Sequence, residues 1–526
     1  MIGRAAGAAG LLLALAGCAA GEGAAPGPPR STRGYVLISI DTLGADHLGC
    51  YGYARPTSPF LDELARRATL FEEAYAQYPN TLVSHMSLFT GLHPREHGVL
   101  PPDSVLAPEI ETLPEVFRRH GFRTAAFTEG GFVHARFGFG RGFEQFAVRD
   151  RSTGRPLQQT FRRGARFLAG LRPDERFLLF LHTYAVHAPY DAPARYREEF
   201  WPGAPPDGAI PATIEGLSAQ NRDGGTLAPA VVDWLTALYD AGVRETDEVL
   251  RGFFADLERL GLTGDVTVVV TADHGEELQE HGRLEHTQLY GEVMRVPLLV
   301  VHPDQASAAR HRGVVELVDV APTLYELGGL RPRGRPSGES LVPLLGRRGH
   351  AAPAPPGSAF AETEGARALY RGAGEELESL LLFDPPPGTW FPRRIAFDAP
   401  PGELELAARA VAPSRLVAWR GDAQVAEAAL TRGWRRLRLP PGGGRLRLES
   451  EAGAFQVRGA RLTRVELYDL RRDPGQRREV TAERPRAARS LLRDLLAFDP
   501  EPVASASRQP LDPELEATLR ALGYLR

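Results

Sequence analysis

Apolar residues along the chain fall into two alternating patterns. Short unbroken apolar runs occupy 35–40 (YVLISI), 124–128, 177–181, 266–271 (VTVVVT) and 296–301, each bounded by polar or turn residues. Runs of this length without a charged interruption predict strands buried on both faces, as in a parallel sheet. Between them, 61–68, 82–90, 113–120 and 232–260 carry apolar residues at helical spacing, and Tyr239, Val243 and Leu250 fall on the core stripe of the last. Strands alternating with helices predict a large α/β domain built on a parallel sheet.

The pattern changes near residue 348. Stretches 403–409, 434–439 and 445–449 alternate between Pro/Gly turns, predicting a small antiparallel β insertion over 385–462 within a smaller C-terminal α+β region, 349–526. Residues 203–228 are Pro/Gly-rich and read as a surface excursion. At the opposite end, Arg4, the apolar run 11–16 and the small residues after it form a targeting segment too short to span a bilayer. Leu15-Ala16-Gly17-Cys18 resembles the bacterial lipobox, which implies cleavage before Cys18 and a lipid on that residue. Residues 1–18 are then signal, 19–33 a flexible tether and 34–348 the main domain, held at the cell envelope on its periplasmic or outer surface.

Composition removes some classes. A hydrophobic content of 43% and a net charge of −4 suit an ordinary globular protein and give no footprint for nucleic acid. Of the two cysteines, Cys50 has no partner once Cys18 carries lipid, so no structural disulfide is expected. The chain contains no Lys, and every basic contact must come from Arg or His.

Candidate chemistry sits at strand ends. Asp41 follows the run 35–40, and Asp273 and His274 follow 266–271, where open α/β sheets bind their ligands. Carboxylate and imidazole donors together suit zinc or manganese better than calcium. Other uses of these residues are a helix cap for Asp273 and a solvated loop for His274.

Asp41-Thr42-Leu43-Gly44-Ala45-Asp46-His47-Leu48-Gly49-Cys50-Tyr51-Gly52-Tyr53, with Thr57-Ser58-Pro59 after it, resembles the opening of the sulfatase-like branch of the alkaline phosphatase superfamily, which implies a doubly wound α/β fold, a mostly parallel sheet with helices on both faces. The resemblance continues through the block from Asn80 to Val99 and through Asp273-His274-Gly275-Glu276, and returns at Glu466-Leu467-Tyr468-Asp469-Leu470 and at 519–525. Counting back from Thr90-Gly91 puts Thr81 at the family's nucleophile position, Val83 at its Pro and His85 at its Arg. Sulfatases convert a Cys or Ser there to formylglycine, which Thr cannot form. The block is thus similar to those of the phosphodiesterases and phosphoethanolamine or phosphoglycerol transferases, which use a Thr alkoxide on phosphorus. Where sulfatases carry Gly-Lys-Trp-His, this chain has Glu129-Gly130-Gly131-Phe132.

The resemblance implies a metal held by Asp41, Thr81, Asp273 and His274, with a second ion at His187 and His286 as an extension of the one-ion reading, or His187 on the substrate's anionic oxygens. His182 reads as a structural strand-end residue, and Glu276 and His281 as site or solvent-facing residues. Thr81 read without the family is a helix N-cap. Three functions follow: a hydrolase of a sulfate or phosphate ester, with phosphorus favoured; a transferase acting on an envelope lipid or glycan; and a non-catalytic binding lipoprotein on the same fold. The substrate is a small-molecule, lipid or glycan ester, and the residues leave oligomeric state open.

Overall fold

The structure is a computed structural model that describes residues 32–148, 156–305, 307–346, 357–373, 376–383, 390–391, 394–399, 404–410, 414–420, 423–431, 435–439, 444–451, 455–458, 464–522 and 524–525. Cys18 and the segment read as signal and most of the tether lie outside the described residues. The strands of the main sheet are, in chain order, β1 (Gly34–Ile40), β2 (Thr69–Tyr75), β3 (Arg123–Thr128), β4 (Gln145–Val148), β5 (Phe177–Thr183), β6 (Val266–Thr271), β7 (Arg295–Val301) and β8 (Ala309–Glu316). They are joined by β9 (Gly357–Thr363), β10 (Ala366–Ala373), β11 (Glu376–Phe383) and β12 (Arg464–Asp469). The helices used below are α1 (Thr81–Thr90), α2 (Leu157–Ala169), α3 (Pro229–Arg259) and α4 (Pro513–Ala521).

The sheet has twelve strands in the order β12-β11-β10-β8-β2-β7-β6-β1-β5-β3-β4, with β9 on β10. From β6 to β4 all neighbours run parallel, and β7 is antiparallel to both of its neighbours. Both faces are covered, and the alternation along β5 shows how. Phe180 and His182 meet α1 through Phe89 and His85, whereas Leu179 and Leu181 press on Gly164 of α2. Successive side chains of a strand point to opposite faces, so α1 and α2 lie on opposite sides of the sheet. A strand covered on both sides must be apolar throughout, which is why β1 and β6 have no exposed position.

β2 is the strand that apolar patterning misses. Its sequence TLFEEAY carries two glutamates, and Glu73 is buried because Tyr75 donates its phenol to it and Arg295 lies 3.9 Å away. The alternating stretches after residue 385 form two four-stranded antiparallel sheets, from Trp390–Phe391 to Phe455–Arg458. No described helix is long and apolar enough to cross a membrane.

The register of the central strands positions the chemistry. Ser39 of β1 pairs with His182 of β5 on one side and Thr271 of β6 on the other. The three carboxyl ends are therefore level, and Asp41 and Asp273 emerge side by side.

Candidate active site

Asp41, Asp273 and His274 are fully buried, and their ligand atoms lie within 4.8 Å of one another. Asp41 Oδ1, Asp273 Oδ2 and His274 Nε2 make no hydrogen bond in the described structure. Two buried carboxylates with orphaned oxygens are unfavourable unless a cation joins them. Burial pushes the Asp41 carboxyl up to about 6, against the opposing pull of His274 and the Thr81 hydroxyl. Burial and then the Asp41 charge raise Asp273 as well. Burial alone would lower His274, but the charges of Asp273 and Asp41 outweigh it, and its pKa is raised. A proton on that ring supplies in part what a divalent ion supplies in full, so the donor set fits a metal.

Thr81 is the first residue of α1. The helix is capped by Asn80, whose side chain accepts from Leu82 N, so the reading of Thr81 as the cap does not hold. Released from capping, Thr81 Oγ1 donates to Asp41 Oδ2 at 3.0 Å. His85, one turn on, hydrogen-bonds the Thr81 carbonyl through Nδ1 at 2.9 Å and Ser39 Oγ through Nε2 at 2.9 Å. It ties the first turn of α1 to β1, and burial lowers its pKa to about 3, so it is a neutral strut and no substitute for an arginine. On the other side, the Thr42 backbone N–H donates to Asp273 Oδ1 and the Ser84 hydroxyl to the Asp273 carbonyl.

The remaining predicted histidines gather around this cluster. The rings of His274 and His286 are 4.4 Å apart, and those of His286 and His187 5.3 Å. Nδ1 of His274 faces the Gly275 carbonyl at 3.0 Å and Nδ1 of His187 the Ala188 carbonyl at 2.6 Å. A carbonyl only accepts, so Nδ1 carries the hydrogen and Nε2 of the neutral ring keeps its lone pair, the tautomer a metal ligand needs. His286 is oriented in the same manner by Glu276 Oε1, 3.1 Å from its Nδ1. Burial holds His286 well below its ordinary value and pushes Glu276 up to about 8.

Glu276 is thus a buried orienting group at the site, whereas His281 is a structural residue that pairs with Glu292 and stacks on Tyr290. His182, read as structural, stands 3.4 Å from Asp41 Oδ2 and edge-on to His85. Sequence reasoning missed Tyr524. Its hydroxyl lies 2.5 Å from Thr81 Oγ1 although 443 positions separate the two residues. The signal available was the family likeness at 519–525, which by itself assigns no chemistry.

The cluster opens to a cleft of about 470 Å³ between His187, His286, Tyr524, Asn80 and the loop at Thr363–Gly365. No arginine is among the described residues lining it, and Glu285 and Glu364 are part of that lining.

A Sulfatase family model matches residues 33–330. Human Arylsulfatase K is 23% identical over 374 residues, 63% of this chain and 70% of that protein. Among solved structures, a 2-O GAG sulfatase superposes with a TM-score of 0.56 at 17% identity, covering 90% of this chain and 92% of its own. The phosphonate monoester hydrolase of Agrobacterium radiobacter gives a TM-score of 0.56 at 18% identity, covering 91% of this chain and 100% of its own. With the fold matched along nearly the whole chain and the family over more than half of it, the chain belongs to the sulfatase family.

Proposed function

We propose that the protein is a metal-dependent ester hydrolase in which Thr81 Oγ1 is the nucleophile, acting on phosphate esters in preference to sulfate esters. The observation that carries this reading is the convergence of the Thr81 hydroxyl, at the start of α1, with the orphaned atoms of Asp41, Asp273 and His274. A divalent ion bound by these residues, zinc or manganese given an imidazole among the donors, would lower the hydroxyl pKa and neutralise the ester's oxygens. His187 and His286 would hold a second ion.

The chain's own groups account for the rest. The Thr81 hydroxyl proton already points at Asp41 Oδ2, which is placed to receive it. Oγ1 forms a bond to phosphorus as the ester P–O bond breaks, and the departing oxygen takes a proton from water. A water oxygen then replaces Oγ1 on phosphorus, its proton is released, and Thr81 regains its hydroxyl. The free N–H groups at the start of α1 favour an anion there. Preference for phosphorus is supported by the Thr itself, by the absence of Lys and by a neutral His85 where sulfatases place Arg.

The test is turnover of a phosphate monoester, a phosphate diester and a sulfate monoester sharing one leaving group, with chelator-stripped protein and after zinc or manganese is restored. Turnover only after reloading, faster on phosphorus, is expected. Activity unaffected by stripping, or sulfate cleaved fastest, would contradict the proposal. We also propose anchoring to the cell envelope through lipid on Cys18, on the strength of the apolar run and small residues before it. Cys18→Ala should abolish lipid labelling, and labelling that persists would refute this.

A further inference from the structure

Tyr524 lies in the turn after α4, with its phenol oxygen 2.5 Å from Thr81 Oγ1 and 3.5 Å from His187 Nε2. We propose that Tyr524 is a catalytic hydrogen-bond donor, serving the nucleophile oxygen in the free enzyme and a non-bridging oxygen of the ester once it enters. The inference rests on Thr81 being the nucleophile.

Counting protons gives the direction of the contact. The Thr81 hydroxyl has one hydrogen, and it goes to Asp41 Oδ2. Oγ1 can therefore only accept from Tyr524, so the phenol donates. When Thr81 gives up its proton, this bond becomes one to an oxyanion, which is shorter and stronger than its neutral counterpart. A separation of 2.5 Å is also close to that between two oxygens on one phosphorus or sulfur. An entering ester oxygen would therefore displace the phenol outward and meet its O–H.

The position is built. Leu519 and Leu522 anchor the end of α4 at 0% and 2% exposure, and the Tyr524 backbone N–H donates to the Leu519 carbonyl at 2.9 Å. The Tyr524 ring lies 4.3 Å from Phe132. Gly131, at φ +57°, has room for no side chain, because a Cβ would come within 2.6 Å of both Leu522 and the Tyr184 hydroxyl. The loop that carries no Lys in this chain is thus shaped to seat the segment bearing Tyr524.

Charge supplies the reason for such a donor. Among the described residues lining the cleft there is no arginine, and Asn80, whose Oδ1 accepts from the Leu82 N–H, offers only its neutral amide. Preorganised donors at a developing oxyanion typically contribute about 10²–10³ in kcat each.

Tyr524→Phe keeps the ring against Phe132 and removes only the O–H. With the full chain loaded with zinc or manganese, kcat on para-nitrophenyl phosphate or sulfate, whichever the parent cleaves, should fall about 10²-fold with KM changed less than about threefold. Inorganic phosphate, measured by titration calorimetry, should bind about tenfold more weakly. The thermal midpoint should not move. Unchanged or increased kcat with unchanged phosphate affinity would overturn the proposal and leave the phenol as a plug over Thr81. Loss in Tyr524→Ala but not in Tyr524→Phe would overturn it in favour of ring packing, as would a parent that binds no phosphate. Thr81→Ala separates the two readings: if that variant still turns over, the nucleophile assignment falls, while phosphate affinity still reports on Tyr524.

Discussion

Asp41→Asn removes one charge from the buried cluster and should move stability in opposite directions with and without metal. In the folded protein the Asp41 carboxyl is raised from 3.8 to about 6, chiefly by burial. The folded state therefore keeps a proton that the unfolded chain has lost, so stability falls as pH rises from about 4 through about 6, and the full penalty stands above that. A shift of this size corresponds to about 3 kcal/mol. The Asn variant, stripped of metal, should accordingly be more stable than the parent by about 3 kcal/mol at pH 8, and the advantage should vanish near pH 4. With metal at about 100 times its dissociation constant the parent should gain about 2.7 kcal/mol, and the variant, short of one ligand, should gain little. Urea unfolding of both proteins at the two pH values, with chelator and with zinc, measures all of this. A variant no more stable than the parent at pH 8 without metal, or one with an undiminished response to zinc, would refute the reasoning.

Glu276→Ala leaves His286 Nδ1 without its acceptor and should weaken metal binding about 10-fold to 100-fold, while Glu276→Gln, which retains an acceptor, should stay close to the parent; calorimetric titration with zinc distinguishes them. Away from the site, burial works to lower His93, but Glu316 and Glu96 outweigh it and hold it at about 10. Because this pKa lies above the unfolded value of 6.5, its contribution is complete below pH 6.5 and is lost as pH rises to about 10. His93→Gln should cost about 3–5 kcal/mol at pH 6 and progressively less towards pH 10, read by urea unfolding across that range; a cost independent of pH would contradict the ion-pair origin.

The elements most legible in the sequence are those whose burial is locally written. β6 runs from Val266 to Thr271, as its unbroken β-branched run predicts, and α3 falls within a few residues of the amphipathic stripe. Asp41 and Asp273 can be paired from the sequence because strand ends of a parallel sheet share one edge. β2 is not legible because the burial of Glu73 depends on Tyr75 and Arg295, and Arg295 lies on another strand. Likewise, nothing local shows that β10, β11 and β12 extend the main sheet, since that union rests on the pairing of Gly313 with Ala373. At the site, residue type and spacing suffice for donors on one strand or one helix. They fail for Tyr524, whose role depends on where α4 ends against Gly131 and Phe132.

Thr81→Ala is the most direct measurement. Thr81 is not the cap of α1, so the substitution should leave unfolding close to that of the parent, with the cap at Asn80 intact. Turnover of the ester that the metal-loaded parent cleaves best should fall by roughly 10³-fold or more, as when a covalent nucleophile is removed. Mass spectrometry of quenched parent protein should find one phosphoryl or sulfuryl group on the peptide containing Thr81, and none in the variant. Turnover within about tenfold of the parent, with no modified peptide, would contradict the assignment and move the attack to a water molecule.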